Sequence, residues 1–215
     1  MQHKILIAAG GPEEYWPDLG GTKNTIYCGA DRGVFSLVKR GITPDYAFGD
    51  FDSVTVEEKK TFMKKKTVVF EYEEEKNETD LELALDWAVR QKPSLITIIG
   101  ATGGRLDHSL INVQMLLKGA EYGVKTVLKD RQNEIELFFP GTYTLTRKEL
   151  EGACYVSFLS YSEKVEGLTL EGFKYPLSSA VLHAGSSRCI SNELAEKNGT
   201  YSFNAGILMM VKSRD

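Results

Sequence analysis

The sequence predicts an α/β unit with a mostly parallel sheet, followed by an all-β unit. Short apolar segments alternate with stretches of helical periodicity through about residue 130, a pattern typical of βαβ units. After residue 131 the helical period disappears, and short strand-like segments with glycine-bearing turns indicate an antiparallel sandwich or barrel. We therefore expect two domains, residues 1–130 and residues 131–215.

The elements of the first domain follow from its apolar runs and its helical spacing. The apolar runs predicted to be buried strands are 5–9, 25–29, 46–48, 67–70, 95–99 and 126–128. The stretches with helical spacing are 32–40, 55–65, 80–91 and 107–121. Thr55 with Glu58, and Thr79 with Glu82, match the capping box that begins a helix.

The elements of the second domain are short strands. Ile135, Leu137 and Phe139 alternate with polar residues, which is the period of a strand with one buried face. Further short apolar runs are 143–145, 155–159, 165–170 and 201–211. We expect all of these runs to be strands of an antiparallel fold.

Composition and charge exclude several classes of protein. The chain has 215 residues, 42% of them hydrophobic, and a net charge of −4, which gives no basic footprint and disfavours a role in binding duplex nucleic acid. Its three cysteines form no CxxC pair, which disfavours a zinc site and a disulfide framework. The N-terminus leads directly into a strand, and no apolar run approaches the roughly 20 residues of a membrane span. We expect a cytoplasmic protein that does not bind membranes.

Four polar clusters follow apolar runs in the first half of the chain. They are residues 30–33, 49–53, 76–80 and 103–108. Ligands of open α/β sheets bind outside the carboxyl ends of the strands, so we expect these clusters to meet at one site. Carboxylates that lie close together repel one another unless a cation lies among them, and a hard divalent ion prefers oxygen ligands and accompanies phosphate. The clusters therefore indicate metal-assisted phosphoryl chemistry.

Two of the acidic clusters also have purely structural explanations. Asp50 and Asp52 are two residues apart, so in an extended segment both carboxylates can face one ion. An Asx turn that caps the next helix fits the same spacing, and both interpretations stay open. Thr79 and Asp80 begin a predicted helix, where a hydroxyl and backbone N–H groups can bind phosphate. Helix capping alone accounts for Thr79 and Asp80. From this cluster by itself, we favour the structural explanation.

A glycine-rich loop at 100–105 connects a predicted strand to a predicted helix. Such a loop can surround an anion with backbone N–H groups, although it matches neither the Walker pattern nor the dinucleotide pattern. Arg105 could bind phosphate oxygens through its planar guanidinium; the alternative is an ion pair with Asp107. We expect His108 to be a hydrogen-bonded residue at the helix start rather than a catalytic base.

The clusters taken together resemble the thiamine pyrophosphokinase family. The resemblance rests on the ordered series 49–53, 76–85 and 100–108, with Asp31 upstream and Ser191 and Asn192 downstream, and it runs through nearly the whole chain. It implies an enzyme that transfers pyrophosphate from ATP to the hydroxyl of thiamine, giving thiamine diphosphate and AMP, with Mg²⁺ as cofactor. It also implies an N-terminal α/β domain that binds ATP and Mg²⁺ and a C-terminal β-sandwich that binds thiamine and dimerises. Active sites would lie at the subunit interface of a homodimer.

The resemblance also implies roles for individual residues. Catalytic roles fall on Asp52, Asp80, Arg105 and Asp107. Metal binding falls on Asp50, Asp52 and Asp80. Contacts with ATP or thiamine fall on Asp31, Lys76, Thr79, Gly103, Gly104, Arg105, His108, Tyr175, Ser191 and Asn192. Two positions depart from the family pattern: Tyr175 stands where relatives often have Trp, and Asn77 where bacterial relatives usually have Asp.

Two other functions are compatible with parts of this pattern. A phosphatase could use the Asp50-Phe51-Asp52 segment as an aspartyl nucleophile, but such an enzyme has no use for the cluster around Arg105. A regulator that binds thiamine or a nucleotide without catalysis does not require several ionised carboxylates.

Overall fold

The computed structural model describes residues 3–19, 24–51, 67–72, 75, 77–150 and 152–215. The predicted helix at 55–65, with its capping box at Thr55, lies outside the described residues. The chain divides into two units, Met1–Arg131 and Gln132–Asp215.

The first unit contains a parallel β-sheet, as the alternating pattern predicted. Its described strands are β1 Lys4–Ala8, β2 Thr25–Ala30, β3 Tyr46–Gly49, β4 Val68–Glu71, β5 Leu95–Ile99 and β6 Thr126–Lys129. The strands lie in the order β4-β3-β2-β1-β5-β6, and every neighbouring pair in this series is parallel. The predicted bounds of these strands are correct to within two residues, because each strand is an apolar run bounded by polar or glycine residues.

Helices connect these strands. The α-helices described in this unit are α1 Gly33–Lys39, α2 Asp80–Arg90, α3 Leu106–Gln114 and α4 Leu116–Glu121, and a 3-10 turn covers Glu13–Tyr15. The single helix predicted at 107–121 is wrong, since the structure divides it at Met115. Met115 keeps helical backbone angles, but the N–H of Lys118 bonds to its carbonyl at 3.0 Å, which tightens the next turn to a three-residue spacing.

Strand β1 lies where the chain reverses its direction across the sheet. From β1 the chain moves outward through β2, β3 and β4, and it then returns to place β5 on the other side of β1. Open α/β sheets bind their ligands in the crevice beyond the carboxyl ends of two strands at such a reversal. From this topology we expect a ligand site beside the residues that follow β1 and β5.

The core of the first unit explains why its strands are nearly continuous apolar runs. A parallel sheet is covered on both faces, so residues on both sides of each strand are buried. In β1 the four residues after Lys4 are all buried. Trp87 of α2 packs on Tyr46 and Phe48 of β3, with ring centroids 4.3 and 5.6 Å apart.

The second unit is an antiparallel β-sandwich, as predicted. Its strands are β7 Asn133–Phe138, β8 Gly141–Thr146, β9 Tyr155–Ser160, β10 Lys164–Glu171, β11 Leu177–His183, β12 Asn198–Phe203 and β13 Leu208–Ser213. β13 pairs with β7 and β9, and the other sheet has the order β11-β10-β12-β8. Its core contains the inward residues Val156, Phe158, Leu168 and Tyr201.

Two details of the second unit differ from the sequence expectation. The run expected at 201–211 is divided between β12 and β13, and Gly206, at a φ of 94°, lies in the turn between them. β11 was not predicted, because Ser178 and Ser179, two adjacent polar residues, interrupt its apolar pattern. Among the residues that the structure describes, no helix is both long enough and apolar enough to span a membrane.

Candidate active site

A cavity of about 640 Å³ opens beyond the carboxyl ends of the first unit's strands. The segments that line it are 9–12, 30–31, 78–81, 100–102, 104–105, 108–109 and 112. They follow β1, β2 and β5 or lie in α2 and α3, as the strand order leads one to expect. Of the residues predicted for the site, those that line this cavity are Asp31, Thr79, Asp80, Gly104, Arg105 and His108. Gly103 and Asp107 adjoin lining residues without lining the cavity themselves.

The glycine-rich loop forms one wall of the cavity against the residues that follow β1. Gly11 donates its N–H to the carbonyl of Gly100 at 2.7 Å. Gly100 has a φ of 63°, and a Cβ there would lie 2.6 Å from the carbonyl oxygen of Ala9, so no larger residue fits. Gly103 lies directly against the ring of Tyr15. Glycine therefore allows the glycine-rich loop and the loop that follows β1 to approach each other closely.

Two side chains from outside this loop bind it. Asn112 of α3 donates from Nδ2 to the carbonyl of Ala101 at 2.8 Å. Thr102 donates from its hydroxyl to Oδ2 of Asp130, which follows β6, at 2.9 Å. Asn112 and Asp130 are both buried, and neither was singled out from the sequence. The sequence held one indication that Asn112 belongs to the site: it comes four residues after His108 and therefore lies on the same side of α3.

Acidic residues from different parts of the chain lie close together in the lining of the cavity. Asp31 follows β2 and donates its N–H to the carbonyl of Phe48 in β3 at 2.8 Å. A Cβ built on Gly49 would lie 3.3 Å from Oδ2 of Asp80 and 3.5 Å from Cα of Asp31. The ends of β2 and β3 and the start of α2 therefore come together here.

The start of α2 has the structure that the capping pattern predicted. The hydroxyl of Thr79 accepts a hydrogen bond from the N–H of Glu82 at 3.2 Å. Thr79 therefore caps this helix and also lines the cavity. An anion in the cavity would lie near the positive end of an eleven-residue helix.

The predicted metal ligands are only partly described. Asp52 and Lys76 lie outside the described residues. Asp50 follows β3 and is half-buried, but it is not one of the residues that line the cavity. Within the described part of the chain, no three His, Cys, Asp or Glu side chains are grouped so that they could share a metal ion. The expected trio of Asp50, Asp52 and Asp80 therefore stays a prediction.

Arg105 and Asp107 form the ion pair that was the alternative interpretation of this cluster. Nη2 of Arg105 lies 2.6 Å from Oδ2 of Asp107, and Nε lies 3.2 Å from Oδ1. Hydrogen bonds from Arg105 and from the N–H of His108 lower the pKa of Asp107 to about 2. Both side chains are exposed, so this pair can separate when a ligand enters.

The site residues predicted in the second unit form their own cluster. Asn192 is 1% exposed, and its Oδ1 accepts hydrogen bonds from the N–H groups of Tyr175 and Glu193 at 3.0 and 2.9 Å. Its Nδ2 donates to the carbonyl of Tyr175 at 2.9 Å. Ser191 is exposed and donates its N–H to the hydroxyl of Ser157 at 3.0 Å. Tyr175 is 56% exposed, and Nζ of Lys174 lies 5.6 Å from the centroid of its ring.

Comparison with known proteins assigns the chain to a family. Residues 21–128 match the model of the thiamin pyrophosphokinase catalytic domain, and residues 142–208 match that of the thiamin pyrophosphokinase vitamin B1 binding domain. The thiamine pyrophosphokinase of Bacillus subtilis (strain 168) is 46% identical over 213 residues, which cover 98% of this chain and 99% of that protein. The chain belongs to the thiamin pyrophosphokinase family. It is therefore an enzyme, as the clusters predicted.

Solved structures of thiamin pyrophosphokinases have the same fold. The crystal structure of the Bacillus subtilis enzyme superposes with a TM-score of 0.92 at 45% identity, covering 99% of both chains. That of thiamin pyrophosphokinase from Geobacillus thermodenitrificans gives a TM-score of 0.89 at 44% identity, covering 99% of this chain and 98% of the other. The cavity residues from Asp31 to Asn112 lie in the segment matched by the catalytic domain, and Tyr175, Ser191 and Asn192 lie in the segment matched by the vitamin B1 binding domain.

Proposed function

We propose that this protein is a Mg²⁺-dependent transferase that moves pyrophosphate from ATP to the hydroxyl of thiamine. The products are thiamine diphosphate and AMP. The observation that carries the proposal is the cavity at the chain reversal, where Asp31, Asp80 and Arg105 meet a glycine-rich loop. The near full-length similarity to a protein named thiamine pyrophosphokinase supports the choice of substrate.

The phosphates of ATP bind to backbone N–H groups and to Arg105 in this proposal. Residues 100–102 and 104 of the glycine-rich loop line the cavity, as does the start of α2, and both segments can direct N–H groups at an anion. Arg105 turns its guanidinium from Asp107 to phosphate oxygens as ATP enters, and Lys76 is a second candidate for this role. Positioning and charge neutralisation account for most of the catalysis of phosphoryl transfer.

Asp50, Asp52 and Asp80 hold Mg²⁺ in this proposal. Carboxylate oxygens are the donors that this ion prefers, so the chemistry of the described acids, Asp50 and Asp80, fits it. When bound, Mg²⁺ neutralises negative charge on the phosphate oxygens. Asp31 faces the same cavity and contributes a further carboxylate to ligand binding.

Either Asp52 or Asp107 accepts the proton of the attacking hydroxyl. Asp107 has a pKa of about 2 while it is paired with Arg105, which makes it a weak base in that state. Its basicity rises when Arg105 moves to the phosphates, so binding of ATP and activation of Asp107 are linked if this residue is the base. His108 lines the cavity and contacts ligand rather than acting as the base.

The second domain binds thiamine in this proposal. Tyr175 offers an exposed aromatic face to the thiazolium cation, and Ser191 and Asn192 belong to the same cluster. We assign ATP and Mg²⁺ binding to residues 1–130, including Gly103 and Gly104, and thiamine binding and dimerisation to residues 131–215. A homodimer with active sites at the subunit interface completes the proposal, and the cytoplasmic location stays a prediction.

Product analysis with labelled ATP tests the reaction. The protein is incubated with thiamine, Mg²⁺ and ATP labelled in the γ-phosphate, with thiamine omitted in the control. The proposal predicts label in thiamine diphosphate and equal amounts of AMP, because attack on the β-phosphorus transfers both outer phosphates together. Thiamine monophosphate with ADP would contradict it. Free phosphate released without thiamine would instead support the phosphatase.

A further inference from the structure

The peptide between Ala101 and Thr102 is held by two buried side chains that belong to other elements. Asn112 lies on α3 and bonds to the carbonyl of Ala101. Asp130 lies beyond the end of β6 and accepts a hydrogen bond from the hydroxyl of Thr102. The two contacts reach neighbouring residues of the same loop, which we call the 100–104 loop. Asn112 lines the cavity, whereas Asp130 does not.

These contacts fix the direction of a backbone N–H group. The carbonyl of Ala101 and the N–H of Thr102 belong to one planar trans peptide, so they point in opposite directions. A bond from Asn112 to that carbonyl therefore determines where the N–H of Thr102 points. The bond from Thr102 to Asp130 holds the next part of the loop against β6. Because Asn112 and Asp130 are buried, loss of either bond is costly, and the arrangement resists rotation of the peptide.

We propose that Asn112 and Asp130 are positioning residues that hold the 100–104 loop in the orientation that binds the polyphosphate of ATP. The proposal rests on the proposed function, since it takes ATP as the ligand of the cavity. Asp130 acts through Thr102, and Asn112 acts through Ala101. Neither residue contributes a charge to the phosphates, and their effect is to fix N–H groups before ATP arrives, which lowers the entropy lost on binding.

This role predicts a selective defect. Asp130→Ala should weaken binding of ATP by about fivefold or more, the effect of losing one productive hydrogen bond, and should leave the KM for thiamine unchanged. Asp130→Asn keeps an oxygen that can accept the hydroxyl of Thr102, so its affinity for ATP should stay within about twofold of wild type. Asn112→Leu removes the donor to Ala101 at similar side-chain size and without adding a charge to the cavity, and it should weaken ATP binding as Asp130→Ala does.

The test measures binding and turnover on the full chain. The binding probe is α,β-methylene-ATP, whose α–β bond cannot be cleaved, titrated by calorimetry in the presence of Mg²⁺. Asp45→Ala is the control, because the carboxylate of Asp45 also accepts a hydrogen bond, from the N–H of Tyr27 at 2.8 Å, but Asp45 precedes β3 and so lies at the opposite end of the strands from the cavity. It should bind the probe as wild type does. Thermal unfolding of each variant verifies that it is folded.

A double-mutant cycle between Thr102 and Asp130 separates positioning from general destabilisation. Thr102→Val keeps the shape of the side chain and loses the hydroxyl. If the contact acts as proposed, the two losses of affinity are not additive. The double variant Thr102→Val with Asp130→Ala then binds the probe as tightly as whichever single variant binds it less tightly. Fully additive losses would overturn the proposal, as would a folded Asp130→Ala protein that binds the probe like wild type. A rise in the KM for thiamine as large as the loss of probe affinity would overturn the proposal too.

The same data distinguish this proposal from the proposed function. A wild-type protein that binds the probe and makes no thiamine diphosphate contradicts the function, while selective weakening in the variants still supports positioning of the loop. A wild-type protein that binds no probe overturns both. Normal turnover with unaffected binding in the Asn112 and Asp130 variants leaves the function intact and overturns only the positioning role.

Discussion

Arg105 and Asp107 hold each other through two hydrogen bonds at the start of α3, one of 2.6 Å between Nη2 and Oδ2 and one of 3.2 Å between Nε and Oδ1. Arg105 also lines the cavity in which we propose that ATP binds. Because both side chains are exposed, the pair contributes little to stability and can open easily. We interpret it as the resting arrangement of a phosphate-binding arginine.

The ion pair gives a prediction about pH. The pKa of Asp107 is about 2, below the ordinary value of roughly 3.9, so any stability that it contributes is present above that ordinary value and is lost as the pH falls through about 2. Arg105→Gln should raise this pKa, but not fully, because the N–H of His108 still bonds to the carboxylate. NMR titration of the carboxyl carbon measures the pKa of Asp107 in wild type and in the variant. An unchanged pKa would show that the pair does not form in solution.

Asn192 gives a prediction that separates stability from binding. Asn192→Ala removes three hydrogen bonds from a buried position and should lower the free energy of unfolding by about 2–4 kcal/mol. It should also raise the KM for thiamine, because the backbone of Tyr175 loses its support. Denaturant unfolding measures the first effect and initial rates the second.

Ser191→Ala is the matched comparison for Asn192→Ala. Ser191 is exposed, and its N–H bond to Ser157 survives the substitution. Its stability should stay within about 0.5 kcal/mol of wild type, and its KM for thiamine should rise more than its KM for ATP. An unchanged KM for thiamine in both variants would argue against a thiamine pocket in this domain.

Tyr175 gives a prediction about the aromatic face. Loss of a cation–π contact of about 0.5–2 kcal/mol should raise the KM for thiamine about 2- to 30-fold in Tyr175→Leu, with the KM for ATP unchanged. Tyr175→Phe keeps the ring and should stay within about twofold of wild type. Lys174, held by Glu193 at 2.7 Å, already lies near this ring, so thiamine has to use the other face or displace it. Equal values for the Leu and Phe variants would exclude the contact.

The sequence predicted those parts of the fold that depend on local pattern. Apolar runs identified the parallel strands, and the capping pattern identified Thr79 as the first residue before α2, because both signals lie within a few neighbouring residues. The division of the predicted helix 107–121 at Met115 was missed, since nothing in the local pattern breaks the helical period there. β11 was missed because the adjacent Ser178 and Ser179, followed by the apolar run 180–182, do not alternate with the period of a half-buried strand.

The candidate site was predictable in its composition but not in its contacts. The polar clusters after the strands pointed to Asp31, Asp80 and Arg105, which do line one cavity. Asn112 and Asp130 were missed because their partners lie 11 and 28 residues away in the chain, and only the tertiary fold brings them together. For the same reason, the sequence suggested Asn192 as a ligand contact but could not show that its amide is used to hold Tyr175.

The central claim, that the acidic side of the cavity is where ATP reacts, is tested most directly by the turnover number of Asp80→Asn. Asp86→Asn is the control, since Asp86 lies on the same helix and pairs with Lys118 at 2.8 Å without lining the cavity. We predict that Asp80→Asn folds normally and loses turnover by about 100-fold or more, while the control keeps the wild-type rate. A folded Asp80→Asn protein that makes thiamine diphosphate at the wild-type rate would contradict the account.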